Sequence, residues 1–161
     1  MTRELTPTPK DAPEMAANFV AIASKQGDSR FDYSEGSIRA LDELIGGFHD
    51  NGDRSENMGG TIMVAGAYLG EVMVRHRGAT WIDGTKADVD DAMRFPLMMQ
   101  CGTQTLVPFA KVAKRLDNGS EDDLVFYYQT LVKLTTGEMP DMTPVAPTKR
   151  SLFQRLTGRG K

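Results

Sequence analysis

The amino-acid sequence predicts an α+β domain with about five helices and a small antiparallel meander of two or three strands between the third and fourth helices. Apolar residues recur at helical spacing in five segments of the chain. Between the third and fourth of these segments lie short β-prone runs, separated by polar residues and glycine. The composition suits one globular domain, because 40% of the 161 residues are hydrophobic and 25% are charged.

Turn and stop residues place each predicted element on the chain. Gly27, Gly78 and Gly137 each follow an apolar-periodic segment, and Pro108 suits the first turn of the fourth helix. In chain order, the predicted elements are helices at 11–26, 33–50 and 57–76, strands at 79–83, 93–99 and 104–107, and helices at 108–118 and 120–136.

Single residues make sharper predictions about these elements. Asp11 and Ser34 are candidate N-caps of the first and second helices, because their side chains can accept a hydrogen bond from a free backbone N–H. Pro96 predicts that the second strand lies at a sheet edge, since proline has no N–H for a central ladder. Gly66 and Gly70 share one face of the third helix and predict that another backbone packs closely there.

Proline content and charge divide the chain into a body and a tail. We expect a disordered N-terminus at 1–10, a single α+β domain at 11–138, a Pro-rich linker at 139–148 and a basic amphipathic tail at 149–161. The formal net charge is -3, and because residues 142–161 hold five basic residues and no acid, the remainder carries -8. An acidic body repels phosphate, so nucleic acid is not an expected partner.

The tail is the strongest candidate for a binding segment. On a helix, its large apolar side chains would lie on one side and its basic side chains on the other, which is typical of a segment that binds a partner protein or an anionic membrane surface. The alternative is a solvated tail that folds back on the acidic body. The candidate partner-binding residues are Lys149, Arg150, Leu152, Phe153, Arg155, Leu156 and Arg159.

Three motifs follow one another in the central part of the chain. Residues 66–72 read Gly-Ala-Tyr-Leu-Gly-Glu-Val, residues 78–81 read Gly-Ala-Thr-Trp, and residues 107–119 read Val-Pro-Phe-Ala-Lys-Val-Ala-Lys-Arg-Leu-Asp-Asn-Gly. Asp-Asp-Leu follows at 122–124. This order resembles a widespread family of small bacterial domains of unknown function, over about residues 31–135. The resemblance implies a bacterial, cytoplasmic α+β domain and carries no activity or catalytic residue. Some members lie near toxin or secretion systems, which would suit a binding role.

Glu71 is the most informative single residue, because it is a carboxylate in an otherwise apolar helix. It could act as a base or contact a partner in a candidate pocket with Tyr68 and Trp81. The favoured alternative is structural: an ion pair with Arg75 four residues later, or a hydrogen bond from the Trp81 N–H.

No catalytic residue, metal site or cofactor is predicted. His49 and His76 each end a helix, where a histidine interacts well with the helix dipole, and no paired-cysteine or HExxH spacing accompanies them. Cys101 is the single cysteine and is expected to be a buried bystander thiol.

These observations favour a non-enzymatic protein-binding module, with the tail reaching a second partner or a membrane surface. Two alternatives stay open: an inhibitor or immunity-type protein whose acidic body covers a basic partner, and an enzyme with a pocket near Glu71. A cytoplasmic location is expected, peripheral at the membrane if the tail binds lipid, because the first ten residues hold no apolar signal segment.

Overall fold

The computed structural model describes residues 6–86, 95–146 and 156–157. Within these residues, five longer helices and a three-stranded antiparallel sheet of order β1-β2-β3 form an α+β fold, with the sheet between the third and fourth helices. The predicted fold class is therefore confirmed. The elements are α1 (Ala12–Lys25), α2 (Ser37–Asp50), α3 (Gly59–Arg77), β1 (Thr80–Asp83), β2 (Leu97–Cys101), β3 (Gln104–Leu106), α4 (Pro108–Asn118) and α5 (Leu124–Thr136).

Helix α3 is the centre of the core. Every residue from Ala65 to Met73 is buried, so this stretch is covered on all sides, as expected of a helix without a polar face. It packs against α1 and α4, while α2 packs against α4 and α5.

The two glycines on α3 allow close packing. A Cβ added at Gly66 would lie 3.0 Å from the Phe109 Cα and 2.4 Å from its Cδ1, so the α4 backbone does approach α3 here, as predicted. At Gly70 the close neighbour is the indole of Trp81, 2.2 Å from the added Cβ, rather than a second backbone. The sequence identified the close face but not the kind of group that fills it.

The two predicted N-caps are each correct in part. Asp11 is the N-cap residue of α1, but its side chain does not cap the helix. The N-cap residue of α2 is Gly36 rather than Ser34, although Ser34 Oγ accepts the N–H of Ser37, the first residue of α2, at 3.2 Å. The carboxylate of Asp11 accepts hydrogen bonds from the Thr8 backbone N–H (2.7 Å) and hydroxyl (3.1 Å), outside the helix that it was expected to cap. Helix α2 begins at Ser37, because Tyr33 has a left-handed φ of 65° and Ser34 forms a turn with Ser37. The short polar side chains therefore stabilise the turns that precede the helices.

The edge position predicted for the second strand is also wrong. Strand β2 is central, with β1 and β3 on either side. Pro96 precedes its first residue, Leu97, and so removes no N–H from the ladder. Its carbonyl accepts a hydrogen bond from the Gly84 N–H at 2.9 Å. The polar loop predicted at 87–91 lies outside the described residues.

The chain after α5 packs against the body around Met142 and Thr143, whose carbonyl lies close to Gly36. Residues 138–146, most of which were expected to be linker, form no helix or strand. Within them, Met142 is buried with the core, and its carbonyl accepts a hydrogen bond from Arg39 Nε at 2.7 Å. None of the described helices combines the length and apolar character needed to span a membrane.

Candidate functional site

Glu71 lies in the core, and its surroundings explain its presence there. Its side chain is on the buried stretch of α3, and its Oε2 accepts a hydrogen bond from the Trp81 indole N–H at 2.8 Å. The Trp81 ring in turn stacks on Phe109, with 5.8 Å between ring centroids. One of the two structural alternatives from the sequence, the hydrogen bond from Trp81, is therefore present.

The other alternative, an ion pair between Glu71 and Arg75, is not formed, although both residues are among those that the structure describes. The guanidinium of Arg75 instead lies over the Tyr33 ring, 3.5 Å from its centroid. A guanidinium in this position is attracted to the negative face of the ring. Burial raises the pKa of the Tyr33 hydroxyl, although the Arg75 charge partly offsets this.

Tyr68 does not face the Glu71–Trp81 pair. Its hydroxyl shares a hydrogen bond with Ser37 Oγ at 2.6 Å and accepts one from the Tyr33 N–H at 2.9 Å. Its ring packs among Phe19, Phe31 and Tyr33, and burial raises the pKa of the hydroxyl well above its usual value. Of the three residues of the candidate pocket, the structure joins Glu71 to Trp81 and places Tyr68 in a separate aromatic cluster.

A second polar cluster joins three parts of the chain that sequence reasoning did not connect. Arg77 donates to Glu35 Oε2 from both Nε (2.9 Å) and Nη2 (2.6 Å), and the Tyr128 hydroxyl donates to the same oxygen. Burial is the main cause of the raised pKa of Tyr128. These groups satisfy one another, so the cluster ties α3, α5 and the turn before α2 together.

Two of the three basic residues on α4, Lys111, Lys114 and Arg115, form ion pairs with acids from different parts of the chain. Lys111 Nζ lies 2.8 Å from Asp122 Oδ1, which holds the pKa of that carboxyl below its usual value. Arg115 pairs with Asp42 of α2 at 2.7 Å, and the same Asp42 oxygen accepts the Leu124 N–H at 2.9 Å. The Asp42 partner was missed because it lies 73 residues away in sequence.

His49, His76 and Cys101 have contacts that give each of them a structural role. His49 Nδ1 lies 2.7 Å from the Leu116 carbonyl, and His76 Nε2 lies 2.8 Å from the Tyr33 carbonyl. Cys101 is buried, and burial raises the pKa of its thiol, which lowers its reactivity. In the described ranges, no three His, Cys, Asp or Glu side chains are grouped so that they could hold a metal ion.

The exposed surface of α5 holds two large apolar side chains among polar ones, which include Gln129 and Lys133 in the same cavity wall. Phe126 is 69% exposed, Leu134 is 70% exposed, and Met139 just beyond the helix is 60% exposed. Together with Thr130, which lies between Phe126 and Leu134, these residues are called the α5 face. They line a shallow cavity of about 560 Å³.

A second cavity, of about 440 Å³, lies between α4, α5 and the end of β3 and is called the α4–β3 cleft. Its walls are mainly apolar, and four residues with polar side chains also line it. It is lined by Phe95, Thr105, Leu106, Val107, Ala110, Lys111, Ala113, Lys114 and Tyr127. A third cavity, of about 490 Å³, is lined by Thr6, Pro7, Met63, Phe95, Pro96, Leu97 and Phe109.

Most of the predicted tail site lies outside the described residues: Lys149, Arg150, Leu152, Phe153, Arg155 and Arg159. Leu156 is described and is 46% exposed. The role of the tail therefore stays a prediction.

No family model, curated protein or solved structure matches this chain. The resemblance to the family of small bacterial domains stays a prediction, and the case for a function depends on the residues themselves.

Proposed function

We propose that this chain is a non-enzymatic protein-binding module whose α5 face docks on an apolar surface of a partner protein. The observation that carries the proposal is the exposure of Phe126, Leu134 and Met139 side by side on a domain whose other large apolar residues are mostly buried. Contiguous exposed apolar residues are typical of interaction sites, whereas single ones are common on any surface.

The position of these residues on the helix supports the same proposal. Phe126, Thr130 and Leu134 are spaced four apart and so form one row along α5. The opposite side of α5 is fixed in the core through Tyr128 and Val132, both fully buried. A rigid helix with an apolar outer row suits recognition in which a helix lies in a groove of its partner.

The environment of Glu71 argues against the enzyme alternative. The Trp81 N–H occupies one of its oxygens, and the indole fills the space beside Gly70. None of the three cavities described above is lined by Tyr68, Glu71 or Trp81. The inhibitor alternative differs in its salt dependence, because an acidic body on a basic partner would bind less tightly at high ionic strength, whereas the α5 face would not.

The tail extends the proposal to a second contact. Residues 149–161 would bind a second protein or an anionic membrane surface, where each basic residue contributes about 1 kcal/mol. Ordering a residue costs about 1–2 kcal/mol of backbone entropy, so the tail alone would bind weakly. Joined to the α5 face by a short segment, it would raise the affinity of a complex through avidity.

A site-specific cross-linking experiment tests the α5 face. A photoreactive benzoylphenylalanine at Thr130 of the full chain is expected to give a discrete adduct in native lysate. The substitution Leu134→Ser should abolish the adduct, because it puts a hydroxyl in the apolar row. The matched control is Ile22→Ser, since Ile22 is another exposed large apolar residue, 46% exposed on α1.

Both serine variants are expected to remain folded, because substitutions at exposed positions usually change stability by less than about 0.5 kcal/mol. An adduct that survives Leu134→Ser as well as Ile22→Ser would overturn the proposal. If the adduct of the protein that keeps Leu134 disappears at high salt, the result would favour the inhibitor alternative.

A further inference from the structure

The α4–β3 cleft has a small-residue wall that leaves its volume open. Ala110 and Ala113 are three residues apart on α4, so they share the face that lines the cleft. Leu106 at the end of β3 and Phe95 add larger apolar surface to the other walls. A volume of about 440 Å³ with mainly apolar walls falls in the range of small-molecule sites.

The charges at the cleft are not balanced. Lys111 and Lys114 both line it, and Asp122 pairs directly with Lys111 at 2.8 Å. Lys114 is exposed and forms no ion pair or hydrogen bond with another described residue, although its charge helps to lower the pKa of Asp122. Of the neighbouring acids, Asp123 is occupied as the N-cap of α5 by the N–H groups of residues 125 and 126. The ammonium group of Lys114 therefore has no direct ion-pair partner among the described residues and lies beside apolar walls.

Tyr127 lines the same cleft and carries a hydroxyl that can donate a hydrogen bond. Burial raises the pKa of Tyr127 to about 12, so its hydroxyl stays protonated at neutral pH. No described residue accepts a hydrogen bond from this hydroxyl, and Lys111 Nζ lies 5.3 Å from the centroid of the ring. A cation and a neutral phenol donor beside an apolar hollow are complementary to a carboxylate that carries an apolar group.

We propose that the α4–β3 cleft binds an amphipathic carboxylate, with its acyl chain or aryl group against Leu106, Ala110 and Ala113 and its carboxylate beside Lys114 and the Tyr127 hydroxyl. This site is separate from the α5 face, so either proposal can fail without the other. The small side chains of Ala110 and Ala113 leave space for the apolar group of the ligand, and the positive charge of Lys114 favours a ligand with a negative head group.

Calorimetric and amide-shift titrations of the full chain with decanoate, below its micelle concentration, test the proposal. Acetate supplies the carboxylate alone, and decyltrimethylammonium supplies the same chain with a positive head. Decanoate is expected to bind with its largest amide shifts at Leu106, Ala110 and Ala113. Acetate should not bind measurably. Decyltrimethylammonium should bind up to about fivefold more weakly, since one exposed charge pair is worth up to about 1 kcal/mol.

Two variants separate the apolar contribution from the charge. Ala113→Trp should fill the cleft and abolish decanoate binding, whereas Lys114→Gln should weaken it about fivefold. Lys25→Gln, at an exposed lysine of α1, is the matched control and should bind like the wild type. If Ala113→Trp does not fold, the proposal is tested by the positions of the decanoate-induced amide shifts in the wild type and by the affinity of Lys114→Gln for decanoate. Equal affinity for the two head groups, shifts centred on the α5 face, or no shifts at the cleft would each overturn the proposal.

Discussion

Buried polar residues in this protein have specific partners, and the Glu71–Trp81 pair shows why that matters for function. The carboxylate of Glu71 was the best candidate for a chemical role, because it lies in an apolar helix. The hydrogen bond of 2.8 Å from the Trp81 indole gives it a structural role instead. The sequence allowed this reading because Trp81 follows α3 by only four residues. It could not show the partners of Tyr68, since Ser37 lies 31 residues away.

The structural role of Glu71 predicts coupled effects of substitution. Trp81→Phe should destabilise the protein by roughly 2–4 kcal/mol, because it removes a buried donor and leaves a small cavity. Glu71→Gln should cost about 1 kcal/mol, since the amide oxygen can still accept the indole hydrogen. The double variant should be more stable than the sum of the two effects predicts, by about 1 kcal/mol. Urea denaturation of the four proteins measures this coupling.

Additive effects of the two substitutions would contradict the structural role. Such a result would mean that the indole stabilises the core by packing on Phe109 alone, without its hydrogen bond to the carboxylate.

The helices and strands themselves were largely predictable, because apolar periodicity reports which side of an element is buried. The errors lie at their ends and in the sheet order. Asp11 stands at the N-cap position of α1, but its carboxylate bonds to Thr8 outside the helix. Ser34 bonds to Ser37, the first residue of α2, although the N-cap residue is Gly36. Pro96 lacks the N–H that a central strand needs, but it lies one residue before β2 and so does not restrict the position of that strand. For Ser34 and Pro96 the residue type was interpreted correctly and its position relative to the element was not, because tertiary contacts decide that position. For Asp11 the position was correct and the hydrogen-bond partner was not.

The close approach of α3 and α4 predicts opposite effects of the same substitution at two glycines of one helix. Gly60→Ala should stabilise the protein by up to about 1 kcal/mol, since nothing lies within 4 Å of an added Cβ and alanine favours the helix. Gly66→Ala should destabilise it by about 1–3 kcal/mol, because the added Cβ would lie 3.0 Å from the Phe109 Cα. Thermal denaturation of both variants gives the comparison. A stabilising Gly66→Ala would show that α4 can move away from α3 at little cost.

The molecule as a whole combines a well-packed body with surfaces that the body does not use. The buried aromatic and charged clusters connect α1, α3, α5 and the turn before α2. The α5 face and the α4–β3 cleft were not predicted from the sequence, because their properties come from which side of a helix the rest of the chain leaves uncovered. Helix α5 has apolar residues on nearly every side, and periodicity alone could not show that Phe126 and Leu134 stay exposed.

The burial of Met142 predicts how far the chain can be shortened from its C-terminus without loss of stability. A chain that ends at Thr148 should unfold at the same temperature as the full chain, because it keeps Met142 in the core. A chain that ends at Pro140 should lose the burial of Met142 and the hydrogen bond from Arg39, together worth roughly 2–4 kcal/mol. Its unfolding temperature should fall by about 6–10 °C, as measured by calorimetry.

Met142→Ala in the full chain is the control for this comparison, since it removes the side chain and keeps the backbone acceptor for Arg39. It should be less destabilising than the chain that ends at Pro140. If ending the chain at Thr148 lowers the unfolding temperature as much as ending it at Pro140, the tail belongs to the fold. The proposal that residues 149–161 are free to bind a second partner would then fail, while the α5 face would still need its own test.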